Sequence, residues 1–569
     1  MELAAFVIGT SSLISVAEVC LTLARAIDGV KAFKEESASL YAAYNFEQVR
    51  LTLWIHHVVG IAHSPIEIDR LKIDDGDLPP VLTSESPINL HQPLQSALTE
   101  VAKILKKLNH LLGKYGANEV SVTRRIRFQT GIFKQGGKDE IRELLAQLKN
   151  WNDSLDRVLE SRMRQHLISN MHIRLLSAAQ TDRELEVIQG AAQGTHESLR
   201  QEAAFRRQIL SIANRSDGIP SGLKISSHNI SPSLPPAMKN GAFRYMGKFD
   251  HPGVRPIRVL QEWKLGQPNW GDNERTTATT RADRLASMLR IEHKPPKLRC
   301  LDLAAYTITD GPQNRLDFCF LYHPPPFANG AILPLTLHTA LTTLSERKRP
   351  TLAQRFGIAA TLAESLLAFH TANWLHKAVC STNVLFFADA QNELPNFRQP
   401  FMAGFEFSRP DTVRDLTLEG PASSSGFDAY CHPELVASLT GNGERRRRYQ
   451  RRFDIYGLGV VLLEIGCWMT VATILRSRQG MEGTTHDHLL ETVKMSLPSR
   501  VGSRYKQAVW ECLHWEEDES GNEPGSQSGF QHEDETEELR AQRQRQRETQ
   551  IEDFANTVVA VLRDCHCTL

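Results

Sequence analysis

The hydrophobic period of this chain changes part of the way along, and that change limits what it can fold into. Up to Ala213 there is no strand pattern. Apolar residues recur at helical spacing, as in Leu40, Tyr44, Val49, Leu51, Leu53, Trp54 and Val58 within 34–62, and in Leu98, Val101, Ile104, Leu105, Leu108, Leu111 and Leu112 within 93–115. A third face, Ile141, Leu144, Leu145, Leu148, Trp151, Leu155 and Val158, lies within 139–158. Apolar residues three and four apart make a stripe on one side of a helix, and several striped helices bury those stripes against one another. Residues 1–215 are therefore expected to form an all-α helical bundle. The segment 214–241 is rich in Ser, Pro, Gly and Asn, and its part 216–241 is expected to be a flexible linker. Beyond it, the short apolar runs 256–264, 298–308 and 316–323 read as strands and the long apolar run 352–374 as a helix. The fold class is thus multidomain, an all-α bundle followed by an α+β domain over 242–567.

Composition narrows the function classes. The 66 Lys and Arg balance 66 Asp and Glu in 569 residues, so the chain lacks the basic field of a nucleic-acid-binding protein, and no nucleic-acid partner is expected. The nine cysteines are scattered through apolar runs without a CxxC pair, which reads as reduced thiols in a cytoplasmic protein. Residues 505–514 and 554–565 read as helical stretches, while Cys565 and Cys567 beside His566 at the very end read as a frayed tail in preference to a metal site, and no metal site is expected.

The first residues carry chemical content of their own. From Met1 to Ala24, 16 residues are apolar and only Glu2 and Glu18 are charged. About 20 helical residues at about 1.5 Å each span the roughly 30 Å bilayer core. The acidic second residue excludes a signal peptide. Glu18 also interrupts the run, which suits a permanent anchor poorly. Two readings stay open: a buried helix of the bundle, or a helix buried at rest that enters a membrane on activation through Leu3, Phe6, Val7, Ile8, Leu13, Ile14 and Val16.

Two segments carry a resemblance. Residues 18–54, with the run Gln48, Val49, Arg50, Leu51 ending at Trp54, and residues 124–159, a basic strip followed by a helix that starts acidic and closes in Leu148 to Leu155, resemble the HeLo domain of fungal incompatibility and prion-propagation proteins. That resemblance implies a helical bundle that acts on membranes once its first helix is released, recruited from the cytoplasm to the plasma membrane. No amyloid tail is recognisable, so a prion-type trigger is not implied.

The second half carries another. The stretch 375–387, LHKAVCSTNVLFF, resembles the protein-kinase catalytic loop HRDLxxxxN, with His376 at its His and Asn383 at the metal-binding Asn. Ala378 stands where the loop has the Asp that accepts the substrate hydroxyl proton, and a methyl group can neither orient nor deprotonate a hydroxyl. In 401–410, Gly404, Phe405 and Glu406 take the places of DFG, so Gly404 replaces the Asp that holds Mg²⁺. Tyr430 to Glu434 resemble the end of an activation segment, and Phe453 to Glu464 the DxxxxG helix behind the catalytic loop. In the smaller lobe, 259–264 resembles the VAIK strand, which would make Lys264 the phosphate-contacting lysine and Asp283 its shortened carboxylate partner; a solvated Lys and a surface Asp are the alternative. No GxGxxG phosphate loop is present, since bulky residues separate Gly241 from Gly247. Lys264, Asp283 and Asn383 are the residues through which ATP and Mg²⁺ would bind if they bind at all, and no cofactor is required.

Two charged stretches remain. The arginines of 443–452 read as a solvated loop or as a contact for anionic lipid headgroups. Residues 515–550 have almost no apolar side chains and read as a disordered insertion.

The two resemblances together imply a catalytically dead kinase-like (pseudokinase) domain restraining a membrane-active bundle, in cell-death or heterokaryon-incompatibility signalling. This is similar in layout to the mixed-lineage kinase-domain-like executioners of necroptosis. The implied partners are membrane lipids on activation and a protein or a second copy of the chain. Two alternatives stay open: an active or atypical protein kinase that binds ATP, and a non-lytic signalling scaffold.

Overall fold

The computed structural model describes residues 20, 38–59, 91–115, 137–159, 161–194, 196–214, 223–232, 243–250, 255–266, 270–311, 315–391, 393–405, 408–411, 427–440, 449–514 and 548–567. The chain divides into two compact units, Met1–Arg200 and Gln201–Leu569. The first is helical throughout its described residues. The second joins an antiparallel sheet to a helical part.

The first unit contains helices Ala38–Val59, His91–Tyr115, Gly137–Arg157, Ser161–Ala178 and Asp182–Ala191, and the helix Glu197–Asn214 begins in it. Their apolar stripes face inward as the spacing predicts: Leu51, Trp54, Leu98, Val101, Leu105, Leu108 and Leu148 are all buried. The two segments that resemble the HeLo domain pack on each other. Arg50 donates through Nε and Nη2 to Asp156 Oδ2 at 2.8 and 2.5 Å and pairs with Asp153 at 2.7 Å. Trp54 Nε1 donates to the Leu155 carbonyl at 3.2 Å, and Asn152 Nδ2 donates to the Glu47 carbonyl at 3.0 Å and to its carboxylate at 2.9 Å. Buried polar groups satisfied in this way fix the register of the two helices. Burial raises the Glu47 carboxyl, with Arg50 and Asn152 opposing the rise. Of the amino-terminal apolar stretch, Cys20 is described: it is helical and buried, and its Sγ donates to the Leu98 carbonyl at 3.3 Å. Leu3, Phe6, Val7, Ile8, Leu13, Ile14 and Val16 lie outside the described residues. Among the described residues no helix is long and apolar enough to cross a membrane.

In the second unit, strands β1 (Ile230–Ser231), β2 (Phe243–Phe249), β3 (Ile257–Leu265), β4 (Leu303–Gly311) and β5 (Arg315–Tyr322) form one antiparallel sheet in the order β1-β2-β3-β5-β4. The helix Asp272–Leu289 lies between β3 and β4 in sequence and packs on β4 and β5. One correction to the sequence reading concerns the linker. Leu223 and Ile225 exchange backbone hydrogen bonds with Tyr306, and Ile230, on β1, is buried in the sheet core. Apolar residues spaced through a polar, Pro-rich stretch are enough to dock it.

The helical part is built around Arg451–Cys467, in which all residues are buried, beside Leu352–Thr371. A helix buried on every side shows no one-sided apolar stripe, which is why Arg451–Cys467 shows none in the sequence. Gly457 lets the core helix approach the neighbouring loop, because a β-carbon there would stand 2.8 Å from the Val379 carbonyl oxygen. Short strands β6 (Leu335–Thr336), β8 (Val384–Phe386) and β9 (Phe401–Met402) form a second sheet, and β7 (Trp374–Leu375) pairs with β10 (Arg409–Pro410). The last residues are a second correction: the helix expected over 554–565 spans 548–567, so Cys565 to Cys567 do not fray, Cys565 is buried, and His566 lies against Gly357. This segment packs on Leu352–Thr371 because Phe554, Val558, Val559 and Leu562 give it an apolar face. Among the described residues no His, Cys, Asp and Glu cluster could hold a metal ion.

Candidate functional site

The loop 376–383 is fixed from beneath by one carboxylate. Asp454, in the first turn of the core helix, is fully buried and receives the backbone N–H of His376 at 2.9 Å and of Lys377 at 2.7 Å. It also accepts from the Tyr449 hydroxyl at 2.9 Å and from His370 Nε2 at 3.3 Å. A helix amino terminus favours negative charge. Burial alone would raise the Asp454 carboxyl, but the hydrogen bond and charge of His370, with the charge and amide of His376, hold it below its ordinary value. The loop backbone is thereby held in an unusual shape: Lys377 has φ 69°.

Within that frame the predicted residues come together. His376 is buried, accepts the Ala378 N–H on Nδ1 at 3.3 Å, and lies 4.6 Å between ring centroids from Phe405, which in turn is 5.4 Å from Phe369. Burial drives the His376 pKa down to about 4, so the ring is neutral at pH 7. Ala378 is buried, and its carbonyl accepts Asn383 Nδ2 at 2.9 Å. Gly404 has φ 76°, in the left-handed region, and a β-carbon on it would fall 2.1 Å from Asn383 Nδ2. No carboxylate can stand at position 404 with this backbone and this Asn383 rotamer. Glu406 lies outside the described residues.

Asp283 accepts a short hydrogen bond from the Tyr306 hydroxyl. Lys264 is half-buried near the end of β3.

Two residues that the sequence reading passed over occupy the cleft. Arg244, on β2, stands directly across from Glu262, on β3. Its Nε donates to Glu262 Oε1 at 2.6 Å, its Nη1 to the Thr382 carbonyl at 2.6 Å, and its Nη2 to Asn383 Oδ1 at 2.6 Å. The ion pair closes at 2.5 Å with side chains only 7% and 4% exposed, so both charges are removed from water and depend on each other. Glu262 also accepts the Tyr322 hydroxyl at 3.1 Å and the Gly404 N–H at 3.3 Å. The signal was an Arg and a Glu at facing positions of a hairpin. It was hidden because 243–249 did not read as a strand.

The arginine stretch is corrected for its last two members. Arg451 and Arg452 are buried, not solvated and not presented to lipid. Arg451 pairs with Asp411 at 3.1 Å and donates to Asn373 at 2.7 Å, and Arg452 holds Glu434 through two bonds of 3.1 and 2.7 Å. Bidentate pairing with carboxylates is what the planar guanidinium does best. Arg445 to Arg448, and residues 515–547 of the expected insertion, lie outside the described residues.

A family model described as a domain of unknown function (DUF7580) matches residues 331–542, which include the loop 376–383, Gly404 and Asp454. No curated protein matches the chain.

Proposed function

We propose that the chain is a regulated membrane-active protein of the cell-death or incompatibility type, in which a HeLo-like bundle is restrained by a kinase-like domain that does not transfer phosphate. What carries the reading is the state of the loop 376–383. Asp454 holds two of its backbone amides, while Ala378 and Gly404 stand where the resemblance would put the groups that act on a phosphate, which supports the reading. Phosphoryl transfer depends on charge neutralisation and positioning, so loss of both carboxylates removes its machinery while leaving the fold free to bind and switch. An antiparallel sheet with one helix between its third and fourth strands, followed by a helical part built on one buried helix, agrees with that reading. The Arg50 and Trp54 contacts between the two HeLo-like segments support the assignment of the bundle.

The bundle supplies the membrane activity through its first helix, and the second unit sets whether that helix is available. Co-sedimentation with anionic vesicles, alongside incubation with labelled ATP and Mg²⁺, tests both halves. The expected result is vesicle binding that needs residues 1–24, with no label incorporated. Incorporation that is lost in Lys264→Met identifies an active kinase. Neither binding nor incorporation identifies a scaffold.

A further inference from the structure

The residues of the cleft do not fit a metal–nucleotide complex, and the misfit has a definite form. Asn383, at the metal-binding position, is engaged at both ends: Nδ2 donates to the Ala378 carbonyl and Oδ1 accepts from Arg244. Position 404 offers no carboxylate and has no room for a β-carbon. Among the described residues the buried carboxylate that meets these groups is Glu262, and Arg244 neutralises it. Three oxygens thus converge at 2.5 to 2.6 Å on one guanidinium: Glu262 Oε1, the Thr382 carbonyl and Asn383 Oδ1. A carboxylate, an amide oxygen and a backbone carbonyl are the donor set that a hard divalent cation takes.

We propose that Arg244 is the resident cation of this cleft: it sits among the oxygens that Mg²⁺ or Mn²⁺ would need, and it ties the sheet to the loop 381–383 without any ligand. The chain carries its own counter-charge in place of an exchangeable one. Nucleotide is then not the signal that opens or closes the second unit. Opening requires Arg244 to leave Asn383 and Thr382, and the sheet moves with it because Arg244 is part of β2. This rests on the non-catalytic reading of the second unit but not on the membrane activity of the first, and the test below reads no membrane event.

The experiment follows the thermal midpoint of the full-length protein through titrations of MnCl₂ and of MnCl₂ with ATP, for the wild type, Arg244→Ala and Arg244→Met. A ligand that binds the folded state raises the midpoint in proportion to the logarithm of its concentration. The wild type is expected to show no shift. Either Arg244 variant is expected to gain a Mn²⁺-dependent rise, because Glu262 and Asn383 are left facing each other without a cation, and Asn383→Ala in the same background is expected to abolish the gain. A Mn²⁺- or Mn-ATP-dependent shift of the wild type that disappears in Asn383→Ala overturns the proposal, whether or not the variants fold. A folded Arg244 variant that gains no Mn²⁺ response overturns it equally, since Arg244 is then not what keeps the metal out.

Discussion

Asn383 Nδ2 stands 2.1 Å from the point where a β-carbon on Gly404 would lie. The absence of a carboxylate at position 404 is therefore built into the packing, and one substitution does not reverse it. Gly404→Ala and Gly404→Asp are both expected to destabilise the second unit by about 2–4 kcal/mol, the sum of a left-handed backbone and an overpacked contact. Urea unfolding checks this; full stability in Gly404→Asp, with phosphate transfer restored, contradicts it.

Asp454 organises the loop from below through two backbone amides, Tyr449 and His370. In Asp454→Asn one oxygen becomes an NH₂ that faces donors, so the variant is expected to lose about 3 kcal/mol or more. The carboxyl is held below its ordinary value of 3.8, so its contribution is present above that pH and fades only as pH falls below it. The difference between wild type and variant should be flat from pH 5 to 8; a difference that vanishes within that window argues against a charged Asp454.

Lys377 gives a slope of the opposite kind. Burial, reinforced by the charges of Arg409, Arg281 and Lys264, brings its pKa down from 10.5 to about 7, and its ammonium lies 5.3 Å from the Tyr449 ring centroid. A lysine whose pKa is lowered by folding penalises the fold at every pH below its unfolded value, and the penalty shrinks with rising pH only where the unfolded chain holds the extra proton. Stability should rise with pH between about 7 and about 10.5, and the penalty is complete below that window. Lys377→Met is expected to stabilise the protein at pH 7 by about 1–3 kcal/mol and to flatten the slope. Denaturant midpoints at pH 7 and pH 9.5 decide it, and an unchanged slope counts against the assignment.

Where the sequence was legible, a single period or an ordered motif carried the signal. The stripes of 93–115 and 139–158 found their helices within two residues, and the strand-like runs found β3, β4 and β5 to within about five residues at either end. The positions His376, Ala378, Asn383 and Gly404 do converge. What was hidden depends on partners far along the chain. Arg244 reads as an ordinary surface residue until β2 is paired with β3 and the loop 381–383 is brought up against it. Arg451 and Arg452 read as part of a charge run until Asp411 and Glu434 arrive to pair with them. The helix near the carboxyl end was legible over 554–565 from its apolar positions, and only its continuation through Cys567 was hidden.

Cys20 offers a reporter for the amino-terminal apolar stretch. Burial pushes its thiol up to about 12, and its Sγ donates to the Leu98 carbonyl. Alkylation at pH 7.5 should label the exposed Cys567 quickly and Cys20 slowly, and vesicles that draw the first helix away from Leu98 should accelerate labelling at Cys20 alone. Fast labelling of Cys20 before any vesicle is added would show that the helix is not seated at rest.

The central claim is that a membrane-active bundle is restrained by a kinase-like partner in the same chain. Dye release from anionic vesicles tests it most directly, comparing residues 1–215, which keep the helix Glu197–Asn214 whole, with residues 25–215 and with the full-length protein. The account predicts leakage by 1–215, its loss in 25–215, and muted leakage by the full chain. Absence of leakage from 1–215 across lipid compositions, or equal leakage with and without residues 1–24, would contradict it.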